Sequence, residues 1–318
     1  MKHPDHFRYV LVDYMHIAHR TIAMPPLSAS VMINNVLEVV DTTIPSMTIK
    51  NIYNLSNRGR YAVGVCLEGG GASVRKEKFQ QLNWQDVEYK SGRKSGQSAF
   101  FQGINLAVSL MHQGGVSLYK QEGLEADDCI ANLILKLKAI DKETPIDVIT
   151  NDADLLPFVD EQVSVYMRGT RQFAEEDCPE HSKYYQVTPR TWEEYLSYSS
   201  AYQGYNIPYN SMLLFKMIRG DKSDSFKGAV TGYGKVKYSA LMAQMIEDDV
   251  LFEEVFRYEN DFDRDIKPVL LDYFTEEEVQ RMRDIFYIIR PFGANLGVPK
   301  QIIHGNLQQV LVPLQINL

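Results

Sequence analysis

The chain has 318 residues, 45% hydrophobic and 23% charged, ordinary for a globular protein with a sizeable core. No apolar run reaches the roughly 20 residues that span a bilayer, and the polar start shows no signal peptide, so cytoplasmic residence is expected (a host cytoplasm if the source is viral). Three single cysteines (Cys66, Cys129, Cys178) argue against a disulfide framework and a structural zinc site, while a net charge of −8 leaves nucleic acid open, because a carboxylate-rich metal site is itself acidic.

Residues 8–13 read as a buried strand ending at Asp13. The stretch from about 28 to 55 carries Val31, Val36, Val39 and Val40 and predicts a helix followed by a loop. Tyr61–Leu67 is a second strand, ending at Glu68 and three glycines, Gly69 to Gly71. A basic stretch follows, then an apolar helix around Gln97–Met111. Val116–Tyr119 reads as a short strand, Ala126–Leu137 as a helix, and Ile146–Thr150 as a strand that again ends in carboxylates. Val163–Tyr166 reads as one more strand. From Arg168 to Asn210 the chain is polar and tyrosine-rich, a surface excursion with a helix near Trp192–Tyr198 whose tyrosines read as packing. Beyond Pro208 the pattern is helical to about Ile289, with turn signals at Gly220 and Gly228–Gly234, and 300–318 suggests a strand or extended tail. Alternating strands and helices predict an α/β fold with a mostly parallel sheet flanked by helices. Three of its strands end in acids, which places a ligand site beyond their carboxyl ends.

The acids fall in five groups: Asp13; Glu68; Glu125, Asp127 and Asp128; Asp152 and Asp154; Asp221 and Asp224. Singly, each reads equally well as a helix cap or a partner of the helix dipole. Together they are like charges that need neutralising, and hard oxygen donors without Cys or His select magnesium or manganese over zinc. So many carboxylates suit two ions about 3.5–4 Å apart, the arrangement for in-line displacement at a phosphodiester. The histidines at 3, 6, 16, 19, 112, 181 and 304 pair with no nucleophile and read as surface or core residues.

The same residues, in order, resemble the 5′-nuclease (flap endonuclease) superfamily, nearest to its bacteriophage RNase H and 5′-3′ exonuclease branch. Leu11-Val-Asp-Tyr14, Tyr89-Lys-Ser-Gly-Arg-Lys94 and Ile218-Arg-Gly-Asp-Lys-Ser-Asp224 carry the likeness most clearly, and it covers about residues 10 to 240. It implies a PIN-like catalytic domain over 1–205, with a basic arch or clamp near 72–97. A helical DNA-binding region would follow over 206–318, with a helix–three-turn–helix near 216–245. One metal would be held mainly by Glu68, Glu125, Asp127 and Asp128 and a second by Asp152, Asp154, Asp221 and Asp224. Asp13 would complete the site, partly through water. Lys90 and Arg93 would contact the scissile phosphate. Glu68 stands where the superfamily usually has Asp, followed by glycines in place of an ordinary turn.

Nucleic-acid contacts are expected from Arg75, Lys76 and Lys94 in the basic stretch, and from Gly232, Gly234, Lys235 and Lys237. Glycine lets backbone amides approach phosphate closely, and a following helix N-terminus favours an anion. The resemblance implies Mg2+ (Mn2+ as substitute), K+ at the glycine turn, and a monomer acting on DNA and RNA–DNA hybrids with a 5′ flap or end. A single-stranded-DNA-binding protein or sliding clamp is a conceivable partner. The alternatives are a PIN-type endoribonuclease, which usually lacks a segment like Gly220–Asp224, and a catalytically inactive junction binder.

Overall fold

In a computed structural model of the chain, the described residues are 7–21, 28–33, 36–41, 43–56, 60–69, 74–82, 85, 98–168, 184–221, 224–291 and 300–301. In chain order the first elements are β1 (Tyr9–Asp13), α1 (Tyr14–Thr21), β2 (Ser28–Ile33), β3 (Val36–Asp41), α2 (Thr43–Leu55), β4 (Ala62–Cys66), α3 (Val74–Gln80) and α4 (Ser98–Gln113). Next come β5 (Ser117–Lys120), α5 (Ala126–Ile140), β6 (Ile146–Ile149), a 3₁₀ turn (Ala153–Phe158), β7 (Val163–Arg168), β8 (Tyr184–Val187) and α6 (Trp192–Tyr198). The remainder is mostly helical: α7 (Met212–Arg219), a short ribbon of β9 (Gly220–Asp221) and β10 (Phe226–Lys227), α8 (Lys235–Glu247), α9 (Phe252–Val255), a π turn (Phe262–Ile266), α10 (Lys267–Leu270) and α11 (Glu276–Ile289). A two-residue strand, β11 (Lys300–Gln301), returns to the sheet.

The seven-stranded sheet has the order β11-β5-β4-β1-β6-β7-β8. Its five inner strands run parallel, and the two edge strands are antiparallel to their neighbours. This is the PIN-like architecture expected from the sequence. β1 reads as an uninterrupted apolar run because it is covered on both faces. Leu11, Cys66 and Val148 feed one core, while Val10, Val12, Val65 and Ile149 feed the other. No helix among the described residues is long and apolar enough to cross a membrane.

One expectation is overturned. The first half of 28–55 is an antiparallel hairpin, with Val31 opposite Glu38 and Ile33 opposite Val36, and the helix begins only at Thr43. Valines stiff at χ1 favour the pleated conformation, and that preference together with cross-strand pairing outweighs the helical spacing of Val36, Val39 and Val40. The strand Tyr184–Val187, antiparallel to β7, lies within the predicted surface excursion. Of the 300–318 segment, only the two residues of β11 are among those described.

Candidate metal centre

Three adjacent central strands, β4, β1 and β6, deliver acids to the same edge of the sheet. Asp13 closes β1, Glu68 stands two residues beyond β4, and Asp152 stands three beyond β6. Neighbouring strands lie about 4.8 Å apart, so residues leaving their ends are brought close without further design. The fourth contribution comes from α5, whose first turn is set by a reciprocal capping box between Glu125 and Asp128. The capping role is therefore real, and it occupies only part of each carboxylate.

The outcome is a carboxylate trio. One oxygen each from Asp127, Asp152 and Asp154 lie within 4.8 Å of one another. Asp127 and Asp152 border a cleft of about 1100 Å³ that is also lined by Asp13, Glu68, Glu125 and Asp221. The donors are all oxygens, which fits a hard divalent cation and not a thiolate or imidazole site. Glu68 is exposed at the cleft, whereas Asp128, Asp154 and Asp224 are buried behind it.

Two buried cations are built into this cluster. Arg75, 2% exposed at the start of α3, donates to Glu125 at 2.9 Å, Asp127 at 2.6 Å and Asp128 at 2.8 Å. Lys216, equally buried in α7, pairs with Asp154 and, at 2.9 Å, with Asp221. Burial works to strip the Lys216 proton, but Asp154 and Asp221 outweigh it and hold the ammonium charged well above its usual range. Asp152 moves the other way: burial, then the charges of Asp154 and Asp127, push its carboxyl well above ordinary values. Burial also raises Asp13, opposed by the His16 amide and the Thr150 hydroxyl, which donates to it at 3.0 Å.

The sequence matches a family described as 5′-3′ exonuclease, N-terminal resolvase-like domain, over residues 8–184. The chain belongs to the 5′-3′ exonuclease family. Among its relatives, the 5′-3′ exonuclease of Mycoplasma pneumoniae is 26% identical over 167 residues, covering 52% of this chain and 50% of that protein. DNA polymerase I of Caldicellulosiruptor bescii is 24% identical over 197 residues, 61% of this chain and 19% of that protein. The chain thus spans half or less of the length of these two relatives. Solved structures that share the fold include two from bacteriophage T5. T5 5′-exonuclease with bound zinc has a TM-score of 0.56 at 16% identity, covering 97% of this chain and 99% of that one. The bacteriophage T5 D15 flap endonuclease, complexed with DNA and metal ions, has a TM-score of 0.54 at 16% identity, over 97% and 98%.

The sequence-predicted residues fare differently in the structure. The nine expected metal ligands all belong to the edge of the sheet or to α5 and the α7–β10 segment beside it. Arg75 is a correction: expected on a phosphate-guiding surface, it is buried against three carboxylates at the start of α5, because a guanidinium within bonding distance of those acids gains more from them than from solvent. Lys76 is exposed on the same helix. Lys90, Arg93 and Lys94 lie outside the described residues, as does most of the arch segment near 72–97. His16 and His19, expected from the sequence to be surface or core residues, line the cleft. Lys216 was not singled out, although it is the one charge inside the apolar run Met212–Ile218, which is the signal that marks it.

The glycine turn leads into α8, with Gly234 at its N-cap and Gly232 at φ 78°, a left-handed conformation that disfavours any side chain. A Cβ on Gly234 would meet nothing within 4 Å, so no internal contact explains the missing side chain there. Lys235 and Lys237 are exposed on the first turn of α8. The acidity of the chain is elsewhere: residues 247–278 carry thirteen Asp and Glu against three Lys and Arg.

Proposed function

We propose that the protein is a metal-dependent, structure-specific 5′ nuclease that hydrolyses phosphodiesters near junctions of duplex and single strand, in DNA and in RNA–DNA hybrids. The observation that carries this reading is the trio Asp127, Asp152 and Asp154, gathered within 4.8 Å at the carboxyl edge of the sheet. Membership of an exonuclease family supports it, and the T5 flap endonuclease of the same fold is described with DNA and metal ions. Removal of primers or flaps in replication or repair is the role this activity suits.

Two Mg2+ ions are the proposed cofactors, one on Glu68, Glu125, Asp127 and Asp128 and one on Asp152, Asp154, Asp221 and Asp224, with Asp13 completing the site. Divalent cations bound there supply Lewis acidity toward a phosphate oxygen and toward the attacking water. The protein's own residues prepare that site. Thr150 and the His16 amide fix both oxygens of Asp13. The Asp154 amide holds one oxygen of Asp152 at 2.9 Å. Arg75 and Lys216 keep the remaining acids from repelling one another apart. Lys90 and Arg93 are proposed to engage the scissile phosphate, with Lys76 and Lys94 guiding the strand toward it.

Duplex backbone is proposed to lie against the glycine turn. The open space over Gly234, the N-terminus of α8 with no side-chain cap and the exposed Lys235 and Lys237 all favour a phosphate there. A K+ ion at this turn and a monomeric state belong to the same proposal. The acidic segment 247–278 accounts for a net charge of −8 without placing it on these contacts.

The test is cleavage of a 5′-labelled flap and of a nicked RNA–DNA hybrid, with magnesium and with EDTA. Magnesium-dependent product at the junction is expected. Binding without cleavage of either substrate would replace the nuclease reading with an inactive junction binder.

A further inference from the structure

Beyond the carboxylates, two residues at the mouth of the cleft, Tyr205 and Arg219, have no role assigned above, and they converge with Lys235. Tyr205, in the turn between α6 and α7, carries the Arg219 guanidinium 5.5 Å and the Lys235 ammonium 5.7 Å from its ring centroid. The ring itself is fixed from behind by the edges of Phe215, at 5.1 Å and 79°, and Tyr238, at 5.9 Å and 80°. Arg219 is further tethered by a 2.6 Å bond to the Tyr233 carbonyl inside the glycine turn. The same turn is tied to α8 where the Asn206 amide donates to the Ser239 hydroxyl at 3.3 Å.

Three separate elements thus converge: the last residue of α7, the first residue of α8, and a ring between them. Both cations are exposed, and among the described residues neither is paired with a carboxylate. Structural cations near an acidic cleft ordinarily find an acid, as Lys216 does; these two are held on an aromatic face instead, which fixes their place and leaves Arg219 with N–H groups beyond the one bonded to Tyr233. Arg219 and Tyr205 both line the cleft that holds Asp152 and Asp221.

We propose that Arg219 and Lys235 form a binding site for a backbone phosphate of the substrate, at the mouth of the carboxylate cleft, with Tyr205 positioning both cations. This rests on the nucleic-acid reading above and adds two residues to it. The site bridges the cleft and the glycine turn, so a strand gripped at α8 is registered against the carboxylates by a contact that carries no sequence information.

The experiment is equilibrium binding of a fluorescent 5′-flap DNA in EDTA, where nothing is cut, across a potassium chloride series. Arg219→Ala and Lys235→Ala should each weaken binding and lower the slope of log K against log salt by about 1. Tyr205→Leu should cost roughly two- to fivefold in affinity, and Tyr205→Phe should restore it, because the ring and not the hydroxyl holds the cations. In the Arg219→Ala, Lys235→Ala double background, Tyr205→Leu should add nothing. Alanine variants with unchanged affinity and slope, in a wild type that binds, would overturn this site alone. A Tyr205→Leu loss that persists in the double background would reduce Tyr205 to a packing residue. A wild type that binds no flap would overturn the nucleic-acid reading and this site with it.

Discussion

Arg75 and Asp127 meet at 2.6 Å in the interior, so a carboxylate fitted to a divalent cation is already holding a cation of the protein's own. Two charges cannot both have first claim on the same oxygens. The pair therefore stabilises the metal-free site and must be weakened or shared when metal enters.

Arg75→Gln should consequently lower stability in EDTA by about 3–5 kcal/mol, the usual cost of leaving buried charges uncompensated. Millimolar magnesium should recover more of the lost Tm in the variant than it adds to the wild type. Thermal melts with and without magnesium check this, and equal magnesium shifts in both proteins would separate Arg75 from the metal site.

Asp127→Asn and Asp152→Asn should each abolish cleavage while binding of a flap junction stays within a few fold of wild type. The change removes charge and not volume, so the fold is spared. Full activity in both variants would remove the carboxylate trio from the chemistry.

Lys90→Ala should lower turnover more than it lowers affinity for duplex. This expectation stands on the Tyr89–Lys94 motif, and single-turnover kinetics against equilibrium binding separate the two effects. Unchanged turnover would take Lys90 out of the catalytic role.

A pH effect is expected far from the site. Burial pushes the Asp147 carboxyl up to about 6 from its ordinary 3.8, against the pull of Arg8 at 3.1 Å. Because its folded value is the higher one, the native state holds more protons than the unfolded chain between these limits, and stability falls as pH rises from about 4 to 6. Asp147→Asn should remove this slope, so the stability gap between the variant and wild type should change by up to about 3 kcal/mol across that window. Urea denaturation of both proteins at pH 4, 5, 6 and 7.5 tests it; parallel profiles would reject it.

These residues also mark what a sequence can carry. Asp13 and Asp152 were legible because an apolar strand that stops at an acid is a local pattern, and several such strands in one α/β chain share an edge. The hairpin Ser28–Asp41 was not, because Val36, Val39 and Val40 fall at helical spacing, and the preference of β-branched residues for a strand does not show in their spacing. Arg75 was misplaced because its residue type suggests phosphate, while its partners, fifty residues away, are set only by the packing of α3 against α5. Lys216 was hidden for the same reason. Its position was visible as one charge in an apolar helix, but its acids come from the turn after β6 and from β9.

The loops after β4 and β5 are stapled backbone to backbone. The Gly69 amide donates to the Leu124 carbonyl at 2.9 Å, and a Cβ on Gly69 would fall 1.9 Å from the Gln121 carbonyl oxygen. The Val74 amide then donates to Gly123 at 3.2 Å, and beyond α3 the Gln85 side chain grips both backbone groups of Lys227. α3 is thus leashed at its start to the loop that leads to Glu125 and, past its end, to the strand that follows Asp224. A pull on the chain just after Gln85 is borne by the same struts that seat the acids on either flank of the cleft, so traction from outside and the spacing of the carboxylates are mechanically one quantity.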